Sequence, residues 1–387
     1  MKIYLDYAAT TPVDKRVVKA MLPYFDLKYA NTSSIHTMGT EVNKAVDKVR
    51  GTIANYLNCN LSEVYFTSSA TESNNWALKG IAFANRKKGK RIIVSSIEHE
   101  CVLNSAKWLS ENGFEIVYAP VDKDGVVDIE KLKKLMTKDT ILVSIMHSNN
   151  EIGTLEPIKE IGSICRERGI YFHTDASQSF GKMPINVKSL NIDLLTASSH
   201  KIYGPKGAAL LYIRNGVNIE PLLHGGGHER GKRSSTVNVP AIIGFGKALE
   251  ICTKEMQSEN LKLSKLRDKI IKYVLKNIKA SYLNGHPTQR LSNNVNVRFD
   301  FIEGEALMME LDSKGIEVST VSACSSPKLE SSHVLLACGI EQKEAQGTIR
   351  ISLGRFTKEK DIDYLLKVLP EAVEKLRIIS PMNLQNC

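Results

Sequence analysis

The chain has 387 residues, 42% of them hydrophobic and 24% charged, with a formal net charge of +10. That length predicts two domains, no apolar run is long enough to cross a bilayer, and Asp6 interrupts "MKIYLDYAATTP" too early for a signal-peptide core, so a cytoplasmic protein without a membrane partner is expected. The basic excess is dispersed, and its densest run, Arg86 to Arg91, reads as a solvated turn, so nucleic acid is not expected as a partner.

From about residue 60 onward, strand-like apolar runs alternate with helical stretches. The strands are predicted at Val64–Thr67, Arg91–Ser95, Glu115–Ala119, Ile141–Ile145, Ile170–Thr174 and Asp193–Ala197. The helices between them include Glu72–Asn85, Val102–Asn112, Ile129–Met136 and Ile158–Arg168. Such alternation predicts an α/β layer fold, a mostly parallel sheet sandwiched by helices. About ten residues separate Ala197 from the next run, Ala208 to Ile213, and they include Gly204, Pro205 and Gly207. That is too short for a parallel crossover, so this strand is expected to return antiparallel.

Residues 240–279 read as one long helical stretch with a possible break near Gln257. Beyond Asn284-Gly285 the pattern changes to a smaller α+β domain. Its strands are predicted at Asn294–Arg298, Ile316–Ser319 and Thr348–Ser352, and its helices at Glu305–Lys314, Ser332–Cys338 and Glu359–Leu376. The expected division is a large domain over residues 15–255 and a small one made of 1–14 plus 256–387.

The ends of the first strands carry the chemistry. Val64–Thr67 runs into "SSATES", hydroxyls and free amides at a helix start, which suits an anion such as phosphate but also suits simple capping. The next ends supply His99, then Asn149 and Asn150, then Asp175 and Gln178, then Ser198, His200 and Lys201. Each alone has an ordinary structural explanation. Together they put an anion site, an imidazole, an amide, a carboxylate and an amine at one sheet edge. Pyridoxal 5'-phosphate uses all five: a phosphate cradle, a flat partner for its ring, a donor to its phenolic oxygen, a carboxylate for its ring nitrogen and a Schiff-base lysine.

Two motifs mislead. "GGHERGK" at 226–232 imitates a nucleotide P-loop, but Arg233 stands where a magnesium-binding hydroxyl is needed. "DKDGVVD" at 122–128 imitates a calcium loop, but its twelfth position is Lys133, so a strand-to-helix turn is expected. The seven cysteines are odd in number and contain no C-x-x-C, which fits neither a disulfide framework nor a zinc knuckle.

The stretches "YLDYAATTPVDKRV", "FTSSATESNNWALKG", "MHSNNEIGTLEPI", "FHTDASQSFGK", "SSHKIYGPKG", "GGGHERGKRSST", "VSACSS" and "IRISLGRFT" resemble cysteine desulfurases of the NifS/IscS type, in order and over nearly the whole chain. The resemblance implies the pyridoxal-phosphate transferase fold of type I, a homodimer, and removal of sulfur from L-cysteine to give L-alanine and an enzyme persulfide. Selenocysteine lyase, or another β-lyase using the same cofactor, is the alternative. It implies Lys201 as the Schiff-base lysine and proton shuttle, and His99 stacked on the ring and assisting acid–base steps. Asp175 would pair with the pyridine nitrogen, and Gln178 and Asn150 would lie on the phenolic side. Ala70, Thr71, Ser198 and His200 would hold the phosphate, Thr236 would reach in from the other subunit, Arg355 would clamp the substrate carboxylate and Cys324 would take the sulfur. A sulfur-acceptor protein, for iron–sulfur assembly or thiolation, is the implied partner. Pro327 and Lys328 stand where the family's loop has Gly and Ser, Ser235 replaces a usual glycine, and the tail ending in Cys387 does not match the scaffold-docking tail of housekeeping members.

Overall fold

The computed structural model describes residues 2–320 and 331–380. A first strand, β1 (Ile3–Tyr4), precedes three helices, α1 (Lys15–Met21), α2 (Pro23–Asp26) and α3 (Thr37–Leu57). Then come β2 (Val64–Thr67), α4 (Ala70–Asn85), β3 (Arg91–Ser95), α5 (Glu100–Glu111), β4 (Glu115–Ala119), α6 (Ile129–Leu135), β5 (Thr140–Ser144), α7 (Ile158–Glu167), β6 (Tyr171–Asp175), β7 (Leu194–Ser198) and β8 (Ala209–Ile213). These strands form one sheet in the order β2-β8-β7-β6-β5-β3-β4. β8 is antiparallel to both β7 and β2, as its short connection required, and the other neighbouring pairs are parallel.

Strands β2, β5, β7 and β8 are buried at every residue, as a sheet covered on both faces demands. One face packs on α3, α7 and the first half of the long helix through Val49, Ile53, Phe172, Ile202 and Phe245. The other packs on α4 and α5 through Trp76, Ile81, Val102 and Leu109. Gly204 follows the turn after β7 because a Cβ there would stand 2.1 Å from Ser199 Oγ, and Gly207 takes a φ of +80° in the return to β8.

α8 (Val239–Asn277) runs unbroken through Gln257, so the long helical stretch has no break there. The reason is visible in its burial. Residues up to Cys252 pack into the core beneath the large sheet, and Leu263 to Val274 pack into a separate core. That second core belongs to the region of β9 (Ser281–Leu283), β10 (Asn294–Phe299), α9 (Gly304–Ser313), β11 (Ile316–Glu317), β12 (Ser319–Thr320), β13 (Thr348–Ser352) and α12 (Glu359–Ile379), while α10 (His333–Ala337) and α11 (Gln342–Ala345) pack in a smaller cluster with Ile97, Met146 and Ile152. Its sheet has the order β12-β13-β10-β9, while β1 pairs with β11. The N-terminal segment thus crosses from this region to the mouth of the large sheet, and Ser352 Oγ accepts from Ala8 N at 2.8 Å. Among the described residues no helix is long and apolar enough to cross a membrane.

Candidate active site

Because β2, β3, β5, β6 and β7 run the same way, their carboxyl ends share one edge, where ligands of open α/β sheets bind. A cavity of about 400 Å³ opens there, lined by Ala70, Thr71, His99, Asn150, Asp175, Gln178, Ser198, His200 and Lys201, with Ala8, Ala9 and Arg350 closing the far side. The sequence-predicted set therefore converges, with the exceptions described below.

Asp175 ends β6. Its Oδ2 accepts from Asn74 Nδ2 at 2.6 Å, and its Oδ1 accepts from Ser177 N at 2.8 Å and Ser177 Oγ at 2.5 Å. These charge-assisted bonds fix the carboxylate's orientation. Lys201 closes the 3-10 turn that follows β7, and its Nζ donates to Ala8 O at 2.5 Å and Ala9 O at 2.8 Å. Gln178 Nε2 donates to the same Ala8 carbonyl at 2.9 Å.

His99 caps α5, its Nδ1 accepting from Cys101 N at 3.1 Å. Burial, then the nearby Lys201 charge, lower its pKa, while Asp175 opposes them. His200 Nδ1 lies 3.1 Å from Thr10 Oγ1, and burial, followed by the Lys201 charge, brings its pKa down to about 4. Both rings are thereby kept neutral near pH 7.

At the head of α4 the Ser69 hydroxyl accepts from Glu72 N at 3.1 Å. The opening amides of a helix lack intrahelical acceptors, and Ala70 and Thr71 both line the cavity. Ser148 Oγ is buried on the same wall with no partner among the described residues. A buried hydroxyl without a partner implies a polar ligand or water opposite it.

One residue expected here stands elsewhere. Arg355 does not line the cavity. Its Nη1 donates to Asp14 Oδ2 at 2.9 Å, its Nε to Glu259 Oε2 at 2.9 Å and its Nη2 to Cys252 Sγ at 3.3 Å, and its guanidinium stacks 4.3 Å from the Tyr203 ring centroid. It follows the β13 strand and turns toward α8. The arginine at the cavity is Arg350, inside β13, donating to Asp6 Oδ1 at 2.8 Å and Asn150 O at 3.1 Å, with a buried Nε that has no partner among the described residues. Thr236 is exposed and outside the cavity lining. Cys324, Pro327, Lys328 and Cys387 lie outside the described residues. The P-loop mimic is an irregular loop around a short turn at Glu229–Gly231. The calcium-loop mimic is a turn in which Asp122 Oδ1 accepts from the amides of Asp124 and Val126.

Sequence reasoning missed Arg350, Asn74 and Ser148. Arg350 had a signal: on a strand it alternates with the apolar Ile349 and Ile351.

The family model for class-V aminotransferases matches residues 3–365. The chain is 55% identical to a cysteine desulfurase IscS of Methanosarcina thermophila, covering 98% of this chain and 94% of that protein. It is 52% identical to cysteine desulfurase IscS 1 of Archaeoglobus fulgidus, covering 98% and 99%. Among solved structures it resembles a NifS-like protein, with a TM-score of 0.91 and 41% identity over 97% of this chain and 100% of the other. It also resembles SspA in complex with cysteine, with a TM-score of 0.83 and 37% identity over 92% and 100%. The chain therefore belongs to the class-V aminotransferase family, among its cysteine desulfurases.

Proposed function

We propose that this protein removes sulfur from L-cysteine, releases L-alanine and carries the sulfur as a persulfide on Cys324 for delivery to an acceptor protein of iron–sulfur assembly or thiolation. The observation that carries this reading is the convergence of Lys201, Asp175 and His99 on one cavity beside Arg350. The donor set fits pyridoxal 5'-phosphate: an oriented carboxylate, free amides at a helix start and a buried hydroxyl without a partner among the described residues face the same space. When bound, that group supplies an electron sink for bond cleavage at the substrate's α-carbon and β-carbon.

Lys201 would hold the cofactor covalently and move a proton at the substrate α-carbon, leaving its acceptors Ala8 O and Ala9 O. Asp175 would keep a proton on the ring nitrogen, and Asn74 and Ser177 keep Asp175 in place. Ala70, Thr71, Ser198 and His200 would hold the phosphate. His99 would cover the ring and exchange a proton, while Gln178 and Asn150 would serve the phenolic oxygen.

Arg350, rather than Arg355, forks the substrate carboxylate, for which a planar guanidinium is suited. Thr236, exposed on the loop around 224–238, serves the phosphate of a second copy in a homodimer. The division into residues 15–255 and 1–14 plus 256–387 is supported by the two cores that α8 joins.

The test is product analysis with cofactor-loaded protein. L-cysteine is expected to yield alanine, and Cys324→Ala to abolish alanine while leaving the bound cofactor's absorbance unchanged. Turnover of selenocysteine alone, or a Cys324→Ala variant as fast as the parent, would contradict the proposal.

A further inference from the structure

The cavity is lined by a thiol that the mechanism above does not use. Cys101 lies two residues past His99 in the first turn of α5 and lines the same space. Its Sγ is 3.1 Å from His99 Nδ1. On its other side it accepts from Asn74 Nδ2 at 3.2 Å, and the same nitrogen donates to Asp175 Oδ2 at 2.6 Å. One side-chain amide, with two hydrogens to give, therefore joins the carboxylate to the thiol.

We infer that Cys101 is a positioning residue for His99: its thiol, oriented by Asn74, donates to Nδ1 and fixes the imidazole as the tautomer that carries its proton on Nε2. The inference rests on the cysteine desulfurase reading for its consequence, but its geometry stands apart from it.

Directionality supports the assignment. The Cys101 backbone N–H can only donate, and it reaches Nδ1 at 3.1 Å, so Nδ1 presents its lone pair. The Asn74 Nδ2 likewise can only donate, so Sγ accepts on that side; the Thr71 side chain is also in hydrogen-bond contact with it, and the thiol hydrogen is available to Nδ1. Burial, followed by the Asp175 charge, pushes the Cys101 thiol up to about 12, so it keeps its hydrogen at neutral pH. Two donors thus converge on Nδ1, and both favour the neutral ring over the imidazolium. The ionisable groups acting on His99 are Asp175 at the end of β6, Lys201 after β7, Glu100 beside it and His333 on α10. The buried Glu98 lies just before it, with its carbonyl 2.9 Å from His333 Nε2. Arranged this way, Asp175 and His99 are coupled through Asn74 and Cys101 without touching. A ring held neutral with Nε2–H can cover a flat ligand and still exchange a proton there.

The experiment is nitrogen NMR of cofactor-loaded enzyme carrying ¹⁵N-histidine, with the His99 ring signals assigned by their loss in His99→Gln. The parent is expected to show an unprotonated Nδ1 and a protonated Nε2 between pH 6 and 8. Cys101→Ala is expected to move the ring's titration upward by about half a pH unit, and Cys101→Ser, which keeps a donor, to restore it. The acid limb of alanine release should move with the ring signal. A parent spectrum with the proton on Nδ1, or a Cys101→Ala ring that titrates where the parent's does, would overturn the inference. If Cys101→Ala does not fold, the parent tautomer and the Cys101→Ser titration decide it. Absence of alanine from the parent would instead sink the desulfurase reading, which is a separate result on the same samples.

Discussion

Lys201 stands between two charged neighbourhoods that handle charge in opposite ways. It lines the cavity on one side and, on the other, a small interior pocket with Tyr203, Cys252 and Glu259. Behind that pocket lies a nest of ion pairs. Asp14 accepts from Arg16 at 2.8 Å and Arg355 at 2.9 Å, Glu255 from Arg16 at 2.6 Å, and Glu259 from Arg355 at 2.9 Å. There, each nitrogen of the Arg355 guanidinium donates to a carboxylate or a thiol of its own chain. On the cavity side, Arg350 has, among the described residues, a single carboxylate partner, Asp6, and a buried Nε with no partner. Two arginines five residues apart in "IRISLGRFT" therefore divide the work. One is saturated by its fold and stabilises it, and the other keeps capacity for a ligand.

The comparison breaks first at Lys201. Lys201→Ala should lower alanine formation roughly 10⁴-fold. Next come the arginines. Arg350→Ala should lower kcat/KM for L-cysteine about 100-fold, the loss of a bidentate charge-assisted contact, while the protein stays folded. Arg355→Ala should do the reverse, costing about 3 kcal/mol in denaturant titrations by leaving Asp14 and Glu259 without their buried partner, with KM unchanged.

The smallest effect is a dependence on pH. Hydrogen bonds from Arg16, against burial, hold Asp14 well below the usual carboxylate range, and Arg355 adds to the lowering. A group depressed in the folded state contributes stability that is present above its unfolded pKa and lost as the pH falls through the folded one. The stability gap between the parent and Arg355→Ala should accordingly be widest at neutral pH and narrow on acidification below pH 4, as thermal melts across that range would record.

Much of the cavity was legible because strand ends are legible. A buried strand is a short apolar run, and the polar residues immediately after it must stand at the sheet edge, so Asp175, His99 and Lys201 could be placed together from sequence. The antiparallel return of β8 followed from chain length alone. What failed depended on side-chain direction and on distant contacts. Nothing in "SLGR" says that Arg355 meets Asp14, 341 residues away. Asn74 looks like an ordinary helix residue until α4 packs so that it reaches Asp175. The helices before residue 60 were left unassigned although Val42, Val46, Val49, Ile53 and Leu57 recur at helical spacing and are all buried in α3. The helix does not break near Gln257 because it serves two cores, and its polar middle marks the crossing between them rather than an end.

The most direct test of the account is the rate of alanine formation at L-cysteine concentrations well below KM, measured side by side for the parent, Arg350→Ala and Arg355→Ala, each loaded with cofactor. The account predicts a rate near the parent's for Arg355→Ala at a temperature where it remains folded, and a loss of about two orders of magnitude for Arg350→Ala. The opposite ranking, with Arg355→Ala inactive and Arg350→Ala near the parent, would contradict it.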